Sequence, residues 1–325
     1  MGIKNTVTKT RDCLTSFRFD HIYRQYNIKI YLLKDGRIIC FDYLYKDIRI
    51  YKIIDNNLSL DSKFCIEYDG DKKDRGPCIM NEIEDNILLF GAYKEINLIE
   101  KTNFDFLQKI KMNYNSYINN ILKLSNGLIA VNNLNKITFY IYDKNDMKLE
   151  KKDEFTPLRD VYEMIEVSNG NLLLCSSNIT IYNINSKEDK EIELINKDKY
   201  EKGLTHVVDN YLFISYFVKD NNDNFKNYLD IFEINLDNFK LELHQSLIID
   251  YPYNLIKSIK LNAHKLISID NMGNIYEFNI SDNFKISLTD VFKAHEKQIT
   301  SLCKITDNKI ITSSQEGTIK LWEFN

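Results

Sequence analysis

Residues 294–322 read as three short apolar stretches, Ile299-Thr300-Ser301-Leu302, Lys309-Ile310-Ile311-Thr312 and Thr318-Ile319-Lys320-Leu321-Trp322. Asp307-Asn308 and Gln315-Glu316-Gly317 separate them. Runs of that length, punctuated by such turn residues, predict strands joined by tight turns. A unit of three short strands cannot bury its own apolar faces. It therefore constrains the rest of the chain, because it needs siblings stacked beside it.

The siblings are found by reading backwards. Trp322 lies three positions after Ile319, and the same relation recurs at Phe278, Phe232, Tyr182, Tyr140, Ile99 and Tyr51. From the N-terminal end the intervals are 48, 41, 42, 50, 46 and 44 residues, and six of the seven positions are aromatic. A second marker keeps the same register. Turns at Asp35-Gly36, Asp85-Asn86, Asn126-Gly127, Asn169-Gly170, Asp209-Asn210, Ala263-His264 and Asp307-Asn308 each precede an apolar run, such as Ile87-Leu88-Leu89-Phe90 or Leu172-Leu173-Leu174-Cys175. Uninterrupted apolar runs suit strands covered on both faces. Two markers with one period predict seven units.

The C-terminal unit resembles the WD40 repeat, whose blades recur at about 40–45 residues. The resemblance implies an all-β fold: a seven-bladed β-propeller of four-stranded antiparallel blades. It also implies that the N-terminal strand completes the last blade. Residues 12–19, Asp-Cys-Leu-Thr-Ser-Phe-Arg-Phe, precede the first unit without inner strands of their own and resemble that closing strand. Pairing first and last strands removes a sheet edge. Residues 12–325 are then one propeller domain, preceded by a flexible arm of residues 1–11. In the family a His, a Ser or Thr, an Asp and the Trp form a hydrogen-bonded network within a blade. Here His295, Thr312 or Ser314, and Trp322 match, and Glu316 stands where Asp is usual.

Composition narrows the function classes. A net charge of −4, with both signs mixed along the chain, leaves no basic footprint for nucleic acid. Cys13, Cys40, Cys65, Cys78, Cys175 and Cys303 are scattered without a C-x-x-C pair, which favours free thiols over disulfides or zinc. No run approaches the ~20 apolar residues of a transmembrane span, and the N-terminus lacks a secretory apolar core. A cytoplasmic or nucleocytoplasmic setting follows as the expectation.

On a propeller, the connections from each outer strand to the next inner strand share one face. They carry Tyr23 and Arg24, Arg75, Tyr114 and Tyr117, Arg159 and Tyr162, Tyr200, and Tyr251 and Tyr253. Tyr and Arg are enriched at binding hot spots, so these residues are candidate anchors for a protein or peptide. The polar insertion 219–227 reads as a solvated, mobile loop; its Asp220, Asn222 and Asn224 begin a calcium-loop pattern that Phe225 and Ile231 do not complete. Met1-Gly2-Ile3-Lys4-Asn5-Thr6 matches an N-acylation pattern, making Gly2 a myristoylation candidate and acyl anchoring to membranes an option. The histidines His21, His206, His244, His264 and His295 are far apart, and no nucleophile elbow, zincin helix or phosphate loop appears. The expected function is a non-catalytic scaffold for protein assemblies, with no cofactor and no metal. A ubiquitin-ligase substrate receptor is an alternative within that class. A hydrolase-like propeller, with carboxylates and histidines converging on the channel, is the enzymatic alternative.

Overall fold

A computed structural model describes residues 11–18, 27–42, 47–65, 79–92, 94–112, 118–168, 170–176, 179–192, 204–219, 225–235, 240–249 and 255–325. Twenty-eight strands and no helix lie among the described residues. β1 (Arg11–Arg18) stands ahead of seven successive groups. The first is β2 (Ile28–Leu32), β3 (Ile38–Asp42), β4 (Asp47–Ile54) and β5 (Asn57–Cys65). The second is β6 (Ile79–Glu84), β7 (Ile87–Gly91), β8 (Glu95–Glu100) and β9 (Phe106–Lys111). The third is β10 (Asn120–Lys123), β11 (Ile129–Asn132), β12 (Ile137–Asp143) and β13 (Lys148–Phe155). The fourth is β14 (Glu163–Ser168), β15 (Asn171–Cys175), β16 (Ile179–Asn183) and β17 (Glu188–Ile192). The fifth is β18 (Leu204–Val208), β19 (Tyr211–Lys219), β20 (Phe225–Asn235) and β21 (Lys240–Ile249). The sixth is β22 (Leu255–Asn262), β23 (Lys265–Asp270), β24 (Asn274–Ile280) and β25 (Ile286–Lys293). The seventh has only β26 (Ile299–Thr306), β27 (Lys309–Ser314) and β28 (Thr318–Phe324).

Each of the first six groups is a four-stranded sheet in chain order. The seventh is completed by β1, which pairs antiparallel with β28 from Arg11↔Phe324 to Arg18↔Thr318. This is the seven-bladed β-propeller, its last blade completed by the N-terminal strand, that the resemblance implies. The apolar runs after each turn are second strands. Residues 87–91 of β7 and 129–132 of β11 are buried throughout, as a strand covered on both faces requires.

All seven marker residues sit on third strands and are buried. The Tyr182 ring stacks on Phe155 of the preceding sheet's outer strand at 4.0 Å, and Trp322 meets Phe292 of β25 edge-on at 5.2 Å. A large ring at this position fills the gap between the wider outer parts of adjacent sheets. The outer strand adapts to it. In five sheets the register shifts at the marker, between Leu98/Ile99, Phe139/Tyr140, Ile231/Phe232 and Glu277/Phe278, and between Cys13/Thr15 opposite Trp322. One extra residue there bends the outer strand and increases its twist.

The chain groups into two compact units, Met1–Cys40 with Arg49–Lys63 and Ile259–Asn325, and Phe41–Ile48 with Phe64–Ser258. In the first unit, hydroxyls join β26 and β27 to β2: Thr300 Oγ1 and Ser313 Oγ donate to the Ile28 carbonyl at 2.9 and 2.8 Å. The Ile30 N–H donates to Ser301 Oγ at 3.2 Å. In the second unit, asparagines on first strands reach the next first strand. Asn81 Nδ2 donates to the Ile121 carbonyl at 3.0 Å, and Asn120 Nδ2 to that of Met164 at 3.4 Å. Apolar clusters fill the spaces between its sheets; one combines Leu173, Ile181 and Ile192 with Leu212, Ile214 and Phe232.

Two expectations need correction. The closing strand begins at Arg11, one residue inside the stretch assigned to a flexible arm. The two ends of the insertion at 219–227 are strand: Lys219 pairs with Phe225, Val218 with Lys226 and Phe217 with Asn227. Polar composition suggested a loop, but Asn227 is buried against Ser215 Oγ at 3.2 Å, so its polarity serves the hairpin. Residues 220–224, with the start of the calcium-like pattern, lie outside the described residues.

Candidate functional site

Tyr23, Arg24, Arg75, Tyr114, Tyr117, Tyr200, Tyr251, Tyr253 and Gly2 lie outside the described residues. Arg159 and Tyr162 are described, on the connection from β13 to β14. Its backbone is pinned at Val161, whose N–H donates to the Leu134 carbonyl at 2.7 Å and whose carbonyl accepts from Asn132 Nδ2 at 2.8 Å. The Tyr162 N–H donates to the Cys175 carbonyl at 2.8 Å. Leu134 supplies its carbonyl from the left-handed region, φ 77°, which few non-glycine residues occupy. With Val161 buried, the flanking side chains turn outward. Leu158 is 89% exposed and Tyr162 65% exposed. Beside them is a cavity of about 150 Å³ lined by Leu158, Arg159, Ser176, Thr180, Asp189 and Glu191 among others. Leu158 carried no sequence signal, since one leucine in a loop has no period to stand out from.

The equivalent connection between β25 and β26 has a different character. His295 is buried there, with Nδ1 2.8 Å from Thr318 Oγ1 and 3.2 Å from Glu316 Oε1. Its Nε2 lies 2.8 Å from Thr312 Oγ1, which also accepts from Trp322 Nε1 at 2.9 Å. Thr318 Oγ1 donates to Glu316 Oε1 at 2.7 Å. These contacts assign the proton to Nδ1, leaving Nε2 to accept from the Thr312 hydroxyl. Burial, seconded by the Lys320 charge, lowers the His295 pKa to about 4 against the opposing pull of Glu316. The imidazole is therefore neutral at pH 7. Ser314 joins one step removed, with its Oγ 2.9 Å from Thr318 Oγ1. The longer Glu316 side chain spans to both His295 and the Glu296 N–H, the latter at 3.3 Å. All of this is structural chemistry, holding a connection to a turn.

A third group was not found from the sequence. Glu163 on β14, His206 on β18 and Lys257 on β22 come from first strands of three successive sheets. Burial raises the Glu163 carboxyl to about 7, opposed by the Lys257 charge. Burial lowers His206 to about 3, reinforced by Lys257. His206 stacks on Phe213 at 5.1 Å, and both ring nitrogens are buried without a hydrogen-bond partner among the described residues. Glu163 can hold a proton near neutral pH, while His206 stays neutral and has no base or acid on its ring nitrogens. Single Glu and Lys residues on strands give no sequence signature, which is why they were missed. Among the described residues no cluster of three His, Cys, Asp or Glu is placed to hold a metal ion, and no helix is long and apolar enough to cross a membrane. Cys13, Cys40, Cys175 and Cys303 are free thiols, and burial pushes the Cys40 pKa up.

No protein-family model matches the sequence, and no curated protein matches it. The structure is similar to a chain of the mitotic checkpoint complex, with TM-score 0.70, 9% identity, and 96% of this chain and 94% of that chain covered. It is likewise similar to U3-55K, with TM-score 0.68, 7% identity, and 95% and 98% covered. These likenesses and the seven four-stranded sheets support a WD40-like propeller.

Proposed function

We propose that this protein is a non-catalytic binding platform that holds protein or peptide partners through the connections between its sheets. The observation that carries the reading is the connection between β13 and β14, where Leu158 and Tyr162 project from a backbone fixed at Val161. Apolar and aromatic groups on a backbone already held in place leave no backbone freedom to be lost on binding, so more of their burial becomes affinity. One structural neighbour is a component of a multiprotein complex, in keeping with the reading, although fold alone does not define function. Tyr23, Arg24, Arg75, Tyr114, Tyr117, Tyr200, Tyr251 and Tyr253 belong to the same proposed set, and the cytoplasm is its proposed setting.

The test is affinity purification of the full chain from its own cells beside a Leu158→Ala/Arg159→Ala/Tyr162→Ala variant. At least one partner should fall by about tenfold or more, as expected when hot-spot side chains are truncated. The melting temperature should stay unchanged. An identical partner set at equal stability overturns the reading.

A further inference from the structure

A cavity of about 290 Å³ lies between the second and third sheets, walled by residues of β9, β12 and β13. Two contacts at its walls tie these sheets together. Gln108 Nε2 donates to the Leu149 carbonyl at 3.4 Å, and Gln108 Oε1 accepts from the Leu149 N–H at 2.7 Å. The Tyr140 hydroxyl donates to Met112 Sδ at 3.5 Å. The register shift of the third sheet falls at the same place. Phe139 faces Asp153 and Tyr140 faces Lys151, so Lys152 is the extra residue. An extra residue bends its strand, and here the bend lies along the cavity wall.

Three features of the lining define what it can hold. Ile110, Met112, Tyr140 and Leu149 give it an apolar wall. Thr138 also lines it, is 2% exposed, and its hydroxyl has no hydrogen-bond partner among the described residues. Native proteins leave few buried polar groups in that state, because each costs stability. The third feature is charge. Lys111 and Lys151 line the cavity, and among the described residues no carboxylate does. Two glutamates stand at the flanks. Glu154, cross-strand from Thr138, lies 2.9 Å from Lys136 and 2.6 Å from Lys151. Glu95, cross-strand from Lys111, lies 3.3 Å from Lys109. Lys109, Lys111, Lys136 and Lys151 thus outnumber the two acids, and the surplus is positive. The Lys151–Glu154 pair is well exposed, where ion pairs are weak and exchange readily.

A water molecule would satisfy Thr138 but leave the apolar wall wet. A purely apolar molecule would cover the wall but leave Thr138 and the lysines unanswered. We propose that the cavity binds a small organic anion, a monocarboxylate with an aromatic or branched apolar body. At ~30 Å³ per water-sized group, the space takes roughly ten heavy atoms. The body lies against Ile110, Met112, Tyr140 and Leu149. The Thr138 hydroxyl donates to a carboxylate oxygen, and Lys111 and Lys151 balance the charge. An apolar pocket with a few placed polar groups is the usual form of a small-molecule site. The site uses none of the Leu158–Tyr162 surface and does not depend on the platform role.

The experiment is a methyl NMR titration of the full chain with hydrocinnamate, beside its neutral amide. The carboxylate should bind with a Kd of about 0.1–1 mM, the range a ligand of this size allows. The methyl signals of Ile110, Met112 and Leu149 should shift. The amide should bind about tenfold more weakly, since it lacks the charge. Two variants follow: Thr138→Val, which keeps the branched shape, and Lys111→Gln/Lys151→Gln, which changes two exposed side chains. Equal melting temperatures verify that both fold. Each should weaken the carboxylate by about tenfold, and the lysine variant should leave the amide unchanged. No binding of hydrocinnamate, isocaproate or indoleacetate up to about 5 mM overturns the proposal. So does equal binding of acid and amide, binding that both variants leave intact, or shifts confined to other methyl groups.

Discussion

The Thr312 hydroxyl serves two buried rings at once, accepting from Trp322 Nε1 and donating to His295 Nε2. Thr312→Val keeps the shape and removes both bonds. Each orphaned buried group costs about 1–3 kcal/mol, so urea unfolding should show a loss of roughly 2–6 kcal/mol. Thr312→Ser should recover most of it. His295 also gives the protein an acid sensitivity of defined sign. Its pKa falls from 6.5 to about 4 on folding, so the unfolded chain takes up the proton first. The stability it contributes is present above pH 6.5 and is lost as pH falls towards 4. Between pH 7 and 5 the wild type should lose about 2 kcal/mol more than His295→Asn does. The comparison with the variant is needed because Glu163, raised to about 7, contributes with the opposite sign over the same interval. His295, Thr312, Glu316 and Trp322 were all legible in the sequence because their spacing is a motif. Thr318 and Ser314 were less so, since hydroxyls that bridge two members of a network have no spacing of their own.

At the level of elements, the turn between β23 and β24 is fixed by Gly273. Its φ is +92°, and a Cβ there would sit 2.3 Å from the His295 carbonyl and 2.5 Å from that of Lys297. The Gly273 carbonyl in turn accepts from the Ala294 and His295 N–H groups at 2.9 and 3.0 Å. Gly273→Ala must displace backbone as well as strain its own, and should cost roughly 3–5 kcal/mol. Gly36 has a similar φ of +83° with open space around it. Gly36→Ala should therefore cost only about 1–2 kcal/mol. Thermal or urea unfolding of the two variants side by side separates strain from clash. The strands themselves were legible as apolar runs bounded by turn residues. The outer-strand bulges were not, because one inserted residue in a half-exposed strand leaves the alternation on either side intact. Residues 225–227 at the start of β20 were read as part of a loop because residues such as Asn227 look like turn residues until a buried partner, Ser215, is seen.

For the whole molecule, periodicity alone gave seven units, and the resemblance to the WD40 repeat pointed to residues 12–19 as the strand that completes the last one. Binding surfaces were far less legible. Exposure of Leu158 depends on how Val161 is anchored, which no local pattern reports. β1 completes the seventh sheet, and everything said of that sheet depends on this pairing. Ser16 and Lys320 are direct partners in that pairing. Antiparallel partners have Cα atoms about 4.5–5.5 Å apart, within the range a disulfide spans. Ser16→Cys/Lys320→Cys, made with Cys13→Ser and oxidised at low concentration, is the direct measurement. An intramolecular disulfide should form readily on non-reducing electrophoresis. It should raise the melting temperature, since closing a loop of this length stabilises by roughly 5 kcal/mol in the chain-entropy model. Thiols that stay free, or that link only between molecules, would contradict the pairing of β1 with β28.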